Sequence, residues 1–166
     1  MKGSRPVTVL MDRTAAELLA THRSMAVSTV RPDGWPQTTF VGYANDGPDL
    51  YFIIFRGSQK FANIAAEPRI SIAIGDEPPD MRLARALYAG ARASEIKDPQ
   101  GREEAWKLLK RRHENLVGTP IPDAGNAAIM MARCEHVSVV DYTKGLGHTE
   151  EFDLAIRGDR PDVGGR

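Results

Sequence analysis

The strongest constraint on the fold is a series of short apolar runs separated by tight-turn sequences. Ile70, Ile72 and Ile74 alternate with small residues, which is the period-two pattern of a half-buried strand. Pro32-Asp33-Gly34 and Asn45-Asp46-Gly47-Pro48 have turn chemistry, and each lies between two apolar runs. Strands joined by so few residues pair antiparallel, because a parallel pair needs a much longer crossover. The pattern therefore predicts hairpin-linked strands.

Six strands are predicted, at about residues 25–30, 37–44, 50–55, 70–74, 82–96 and 128–142. A first helix follows the capping-box spacing of Thr14 and Glu17, a second begins at Ser58 and stops near Pro68, and a third is launched by Asp98-Pro99. We expect a mainly β fold with helices, or an α+β fold, built as a closed six-stranded antiparallel barrel. One domain covers residues 1–166, and its glycine-rich end at residues 158–166 is expected to fray.

Composition and charge argue against several classes of function. Basic and acidic residues number 22 each, so no overall field attracts nucleic acid or an anionic membrane. No apolar run approaches the roughly 20 residues that span a bilayer, and the N-terminus lacks the apolar core of a signal peptide. Cys134 is the only cysteine, so no internal disulfide forms, and we expect it to fill space in a strand. Together these features predict a cytoplasmic protein.

The histidines show no metal-ligand spacing, so no metal site is expected. Among them His148 is the one best placed to approach a pocket. Trp35 lies at a hairpin tip, where it packs either on a neighbouring subunit or over its own strand. No G-x-S-x-G, Walker or C-x-x-C motif is present, which leaves hydrolase, nucleotide-triphosphatase and thioredoxin functions without support.

One junction has the chemistry of an anion site. The third predicted strand enters the second helix through Arg56-Gly57-Ser58-Gln59-Lys60. Free backbone N–H groups at the first helical turn, the helix dipole and the charge of Lys60 all favour a bound anion. Ser58 either only caps the helix or also contacts a phosphate, and Lys60 is either a phosphate ligand or a solvated lysine. The junction predicts a phosphate-binding turn.

A family resemblance is carried by three segments: MAVSTVRPDGWPQTTFVGY, LYFIIFRGSQKFANIAAEPRISIAI and LYAGARASEIKDP. In this order and spacing they resemble the pyridoxamine 5′-phosphate oxidase-like family of FMN-binding split barrels. The similarity covers roughly residues 16–142. Its most specific parts are the x-x-D-G-x-P hairpin, the G-S-x-K turn followed by N-I-x-x-x-P-R, and the G-x-A element that begins at Gly90 and runs into Asp98-Pro99.

The resemblance implies an FMN at the two-fold interface of a homodimer, and a flavin-dependent oxidoreductase that transfers hydride or electrons through flavin N5 to or from a small molecule. By alignment, Ser58, Gln59 and Lys60 fall on the phosphate-binding turn, with Arg56 as a candidate anion ligand beside it. The residues that align with the strands lining the flavin ring are Thr38, Thr39, Phe40 and Val41 on one strand and Ile53, Ile54 and Phe55 on its neighbour.

The chain departs from the family pattern in ways that affect its substrate. Gln59 and Thr39 stand where the family's oxidases carry phosphate-binding arginines, and the C-terminal W-x-x-R-L-x-P segment of the vitamin B6 oxidases is missing. We therefore expect a divergent member of the family with another substrate. No residue with an obvious acid–base role is apparent, and flavin chemistry permits this.

Three alternatives remain open. Similar split barrels bind the deazaflavin F420, whose long acidic tail would need an extended basic groove, and Arg56, Arg82, Arg85 and Arg92 are candidates for one. A second alternative is a non-catalytic protein that binds flavin or haem for storage or sensing. A third is a barrel without a cofactor.

Overall fold

Six antiparallel strands close into a barrel, and a seventh strand pairs with one of them outside the closure. The computed structural model describes residues 12–154, so the predicted frayed end lies outside the described residues. The strands are β1 (Ser24–Val30), β2 (Pro36–Asp46), β3 (Asp49–Phe55), β4 (Arg69–Gly75), β5 (Arg85–Glu95), β6 (Ala127–Asp141) and β7 (Thr149–Asp153). The helices are α1 (Arg13–Thr21), α2 (Gln59–Ala66) and α3 (Pro99–Arg112).

The strand order β3-β2-β1-β4-β5-β6 becomes a barrel because β3 also pairs with β6. The first half of the 15-residue β6 pairs with β3, and its second half pairs with β7. The predicted six-stranded antiparallel barrel is therefore confirmed. None of the helices in the described part of the chain is long and apolar enough to cross a membrane.

Two local predictions were wrong. The strand β7 was missed because its sequence, TEEFD, carries three acidic residues and one large apolar side chain, too little for an apolar alternation. Thr14 does not cap α1: Asp12 is at the N-cap position, and the Thr14 hydroxyl donates a hydrogen bond to the buried Asp141 carboxylate at 3.3 Å. Glu17 instead pairs with Arg13 and Arg85, at 3.0 and 3.1 Å.

Alternate side chains of the strands fill the barrel. The main core contains Val27, Phe52, Ile72, Leu87 and Val139, together with Cys134, as expected for that cysteine. A second cluster lies between α3 and the outside of the barrel, where Trp106 and Leu109 pack on Ala44 and Ile129. This second cluster fixes α3 across β2 and β3.

The barrel is only partly closed between β2 and β3. Their pairing runs from Asp46 opposite Asp49 to Tyr43 opposite Phe52 and stops there. Beyond that point residues 36–42 of β2 pair with β1 alone, and residues 53–55 of β3 pair with β6 alone. We call this opening the split. The chain leaves β3 at the open end of the split and starts α2 there.

A buried asparagine holds α2 to the start of β2. Asn63 is fully buried, and its Nδ2 donates to Thr29 Oγ1 at 3.0 Å and to Gln37 Oε1 at 3.1 Å. Gln59 Nε2 donates to Asn63 Oδ1 at 2.8 Å. Thr29 and Gln37 are cross-strand neighbours on β1 and β2, so one side chain ties the helix to both strands.

Replacing this asparagine should be among the more destabilising single changes. Asn63→Leu removes the partner of the buried Thr29 hydroxyl and of the half-buried Gln37 amide, and we expect a loss of about 2–4 kcal/mol in the free energy of unfolding. Urea denaturation measures it. Asn45→Ala is the matched control, since Asn45 makes one exposed bond to the Gly47 carbonyl at 3.0 Å. Equal losses in the two variants would contradict the role of Asn63.

Candidate functional site

The β2 edge of the split presents backbone groups that the barrel does not use. Tyr43 N donates to the Arg23 carbonyl at 3.0 Å, and β1 pairs with β2 in one continuous antiparallel register. Because hydrogen-bonded and non-hydrogen-bonded pairs alternate in such a ladder, Thr39 and Val41 bond to β1 through their backbones. The backbone N–H and C=O groups of Thr38 and Phe40 therefore face the split.

Two threonine side chains lie on this edge in different surroundings. Thr38 Oγ1 lies 2.8 Å from Ser28 Oγ on the exposed face of the sheet. Thr39 Oγ1 is buried and has no hydrogen-bond partner among the described residues. A buried hydroxyl without a partner costs free energy, because it has lost its bonds to water. Thr39 therefore offers an unused donor and acceptor beside the split.

The other edge of the split ends at the start of α2. Ser58 has extended backbone angles, and its Oγ accepts from Phe61 N at 3.2 Å and donates to the Phe55 carbonyl at 2.7 Å. This is the predicted helix cap, and both bonds engage the hydroxyl locally. The backbone N–H groups of Gln59 and Lys60, in the first helical turn, have no partner in the described part of the chain. These two amides are free to bind an anion.

Lys60 supplies a positive charge at the same turn. Within residues 12–154 its ammonium group makes no ion pair and no hydrogen bond. Burial lowers the pKa of Lys60 below its usual value, because partial removal from water disfavours the charged form. An anion placed next to the ammonium group would offset that cost.

Arg56 is committed to other partners. Its guanidinium forms a two-point ion pair with the Glu95 carboxylate, donates to the Ala124 carbonyl at 2.5 Å and lies 5.2 Å above the Phe61 ring. A cavity of about 440 Å³ between α2 and the end of β5 includes both Arg56 and Glu95 in its lining. Arg56 would have to give up the Glu95 pair, or share it, to contact a phosphate.

The remaining predicted residues also lie along the split, but their side chains differ in burial. Phe40 and Phe55 are 81% and 73% exposed, one on each edge. Ile54 points into the main core and Val41 packs against it, whereas Ile53 packs beneath α3. The residues that the family resemblance assigned to the cofactor thus lie along one opening in the fold.

A histidine that the sequence did not single out lies at the closed end of the split. His113 follows α3, and its Nε2 lies 2.9 Å from the Tyr43 carbonyl oxygen. The ring passes so close to Gly42 that a Cβ there would lie 3.0 Å from His113 Cε1. His148, the histidine favoured by the sequence, instead bonds to Glu150 at 2.8 Å.

A side chain at Gly42 should disturb this contact. In Gly42→Ala the methyl group forces the imidazole away from β2 and weakens its bond to Tyr43, so we expect a loss of about 1–2 kcal/mol in the free energy of unfolding. Thermal unfolding measures the loss. Gly57→Ala is the control, because a Cβ at Gly57 meets nothing within 4 Å. If Gly42→Ala proved no more destabilising than Gly57→Ala, the close approach would be wrong.

The outside of the sheet carries a row of residues next to the split, all of them small except a histidine at its end. Thr38, Ser28, Ser71, Gly90 and His136 follow one another across β2, β1, β4, β5 and β6. The neighbouring row contains Phe40, Ala26, Ala73, Tyr88 and Ser138. We call these two rows the outer face. A groove of about 880 Å³ runs over it.

Large apolar side chains project from and beside the outer face. Tyr88, on β5 within this face, is 47% exposed, and Phe40 projects at its β2 edge. Trp35, in the hairpin between β1 and β2, is 72% exposed, so the interpretation that it packs over its own strand is wrong. Aromatic side chains are enriched in protein–protein interfaces, so a surface that exposes several of them is typical of one that another protein covers.

Comparison with known proteins agrees with this architecture. The family model described as pyridoxamine 5′-phosphate oxidase matches residues 11–141 of the chain. No curated protein sequence matches it. Among solved structures, a haem-binding protein from Mycobacterium smegmatis superimposes with a TM-score of 0.71 at 19% identity. That similarity covers 87% of this chain and only 60% of the mycobacterial protein.

Two other solved structures carry different names. An F420 reductase has a TM-score of 0.59 at 27% identity, over 73% of this chain and 93% of that protein. An FAD-binding protein from Mesorhizobium loti has a TM-score of 0.61 at 21% identity, over 78% and 94% of the two chains. The solved structures, at low sequence identity, show the same fold, and the family model matches most of the sequence. The chain belongs to the pyridoxamine 5′-phosphate oxidase family.

Proposed function

We propose that this protein binds FMN in the split and acts as a flavin-dependent oxidoreductase on a small molecule. The observation that carries the proposal is the set of unused polar groups around one opening. These are the buried hydroxyl of Thr39, the amides at the start of α2 and the ammonium group of Lys60, all without a partner within residues 12–154. A phosphorylated, ring-bearing cofactor would satisfy all of them.

Each edge of the split has its own task in this proposal. The amides of Gln59 and Lys60 and the Lys60 ammonium group hold the phosphate, since helix dipole, N–H donors and charge act at one point. Thr39 Oγ1 and the backbone groups of Thr38 and Phe40 bond to the polar edge of the flavin ring. The bound flavin supplies hydride or electron transfer through N5, and the protein positions the reactants and excludes water.

The proposal includes a homodimer whose two copies meet through the outer face. Phe40 and Tyr88 are exposed on that face and Trp35 beside it, while its serine, alanine and glycine residues leave room for side chains of a second copy. The face borders the split at Thr38 and Phe40. A second copy would therefore cover a ligand in the split and remove it from water.

F420 is the second candidate cofactor, favoured by the 27% identity to an F420 reductase. The charges that its acidic tail would need are already paired. The four candidate arginines all form ion pairs, namely Arg56–Glu95, Arg82–Asp80, Arg85–Glu17 and Arg92–Glu135. Lys60 is the only residue of the predicted basic set without such a partner among the described residues. This distribution suits one phosphate better than a chain of carboxylates.

The test is the absorption spectrum of the purified protein, followed by mass identification of the molecule released on denaturation. We expect the visible bands of a bound flavin and the mass of FMN. A nicotinamide donor should bleach these bands, and an added acceptor should restore them. A haem Soret band, or released F420, would replace the proposal with the corresponding alternative. Failure to bind added FMN at micromolar concentrations would refute it, and bound FMN without turnover would leave a binding protein.

A further inference from the structure

A small cavity of about 200 Å³ opens at the closed end of the split. Gly42 and Ile53 belong to its lining. They are the residues next to the last β2–β3 pair, Tyr43 with Phe52, on the side where the pairing has stopped. The cavity thus begins where the two strands separate. Its volume is somewhat larger than the about 150 Å³ of an engineered cavity that holds benzene, so it admits a group of about one ring.

The polar side chains that line the cavity are those of His113 and Asn115. Its lining consists of Gly42, Ile53, Leu109, His113, Asn115 and Leu116. No arginine or lysine belongs to this set. The nearest cation along the chain, Arg112, donates to the carbonyls of Leu19 and His22 and lies 5.8 Å above the Tyr43 ring. A phosphate or carboxylate entering the cavity would lose water without gaining an arginine or lysine as a partner.

The hydrogen bond of His113 decides which atom the ring can offer. Its Nε2 lies 2.9 Å from the Tyr43 carbonyl oxygen, and a carbonyl only accepts, so Nε2 carries the hydrogen. In the neutral imidazole Nδ1 then has a free lone pair. Close packing against Gly42 restricts the ring and helps to hold this arrangement.

We propose that this cavity receives an uncharged part of the substrate, of about one ring in size, which donates a hydrogen bond from a hydroxyl or N–H group to His113 Nδ1. The proposal rests on the proposed function, because it takes a cofactor in the split as the reactive neighbour of the cavity. It assigns a substrate class: neutral molecules with a donor group, in contrast to phosphorylated ones. His113 acts here as a specificity-determining residue.

The first experiment compares matched probes by NMR on protein with labelled histidine, at pH 8, with the His113 signal assigned from His113→Gln. Phenol and benzamide should shift this signal with millimolar dissociation constants. Phenyl phosphate and benzoate should bind at least about tenfold more weakly, a difference of about 1.4 kcal/mol. Anions that bind as tightly as the neutral probes would overturn the proposal, and so would a His113 signal that none of the probes shifts.

Variants separate a hydrogen bond from a structural role. His113→Leu keeps the bulk and removes the acceptor, so phenol affinity should fall about three- to tenfold while that of toluene, which has no donor, stays the same. His113→Gln should restore phenol binding, because its amide can donate to Tyr43 and accept from the probe. If toluene lost as much affinity as phenol, His113 would only shape the cavity. Asn115→Lys should raise phenyl phosphate affinity by at least about tenfold.

FMN binding is followed separately by absorbance in every variant. Wild-type protein that fails to bind FMN but discriminates the probes as described would refute the proposed function and leave the chemistry of the cavity standing. Protein that binds FMN but prefers phenyl phosphate would do the reverse.

Discussion

Lys60→Ala is expected to weaken FMN binding by about 10- to 100-fold, because the variant loses a charge-assisted hydrogen bond worth about 1.5–3 kcal/mol. Quenching of FMN fluorescence on titration with protein measures the dissociation constant. Lys107→Ala is the control, since Lys107 is an exposed lysine on α3, away from the split. A similar loss in both variants would mean that overall charge, and not the α2 turn, governs binding.

Lys60, which should strengthen FMN binding, should lower the stability of the FMN-free protein. Burial lowers the pKa of Lys60 from 10.5, so the ammonium group costs stability below the lowered pKa, and this cost disappears as the pH rises through 10.5. Lys60→Met should therefore leave the FMN-free protein at least as stable as wild type at pH 7. Any advantage should shrink as the pH approaches 10.5. A marked loss of stability at pH 7 would show that Lys60 stabilises the fold itself and is not available only for an anion.

Tyr88→Glu is expected to separate the proposed dimer into monomers. Tyr88 is a half-exposed aromatic residue on β5, inside the outer face, and a two-fold contact would bring the new carboxylates into a desolvated interface. Truncation of an aromatic residue that anchors an interface costs about 2 kcal/mol or more, so the dimer dissociation constant should rise at least about 30-fold. Sedimentation velocity at several concentrations measures the change.

FMN affinity should fall together with dimerisation in this variant. Met81→Glu provides the control, because Met81 is an exposed apolar residue in the β4–β5 connection, outside the outer face. It should leave both the dimer and FMN binding intact. Wild-type protein that stayed monomeric while binding FMN would remove the second copy from the proposal.

The sequence sufficed for the barrel because its signals are local. Alternation in the Ile70–Ile74 segment and turn chemistry at Gly34 and Gly47 act over a few residues, and the structure has the strands they predict. Helix α2 could be predicted for the same reason, since Ser58 and its cap lie within one turn. The strand β7 could not, because it depends on the edge of β6 and not on its own composition.

Parts of the candidate site depend on contacts that no local pattern reports. The sequence made Arg56 a candidate anion ligand, but its guanidinium pairs with Glu95, which lies on β5. His113 approaches Gly42 only because the packing of Trp106 and Leu109 sets the direction of α3. That Thr39 Oγ1 has no partner in the described part of the chain likewise follows only from the three-dimensional structure, since the sequence shows a threonine in a strand and nothing of its surroundings.

Because β2 and β3 pair only in part, ligand binding in the split competes with further pairing of these two strands. The backbone groups of Thr38 and Phe40 would bond to β3 if the β2–β3 pairing continued past Tyr43 and Phe52. A ligand in the split would therefore take the place of a missing stretch of strand. Substitutions that lengthen the β2–β3 pairing would therefore prevent the ligand from binding, and they would stabilise the ligand-free protein at the same time. Hydrogen exchange would measure this competition directly, because the Thr38 and Phe40 amides exchange quickly only while neither a ligand nor a longer β3 pairing protects them.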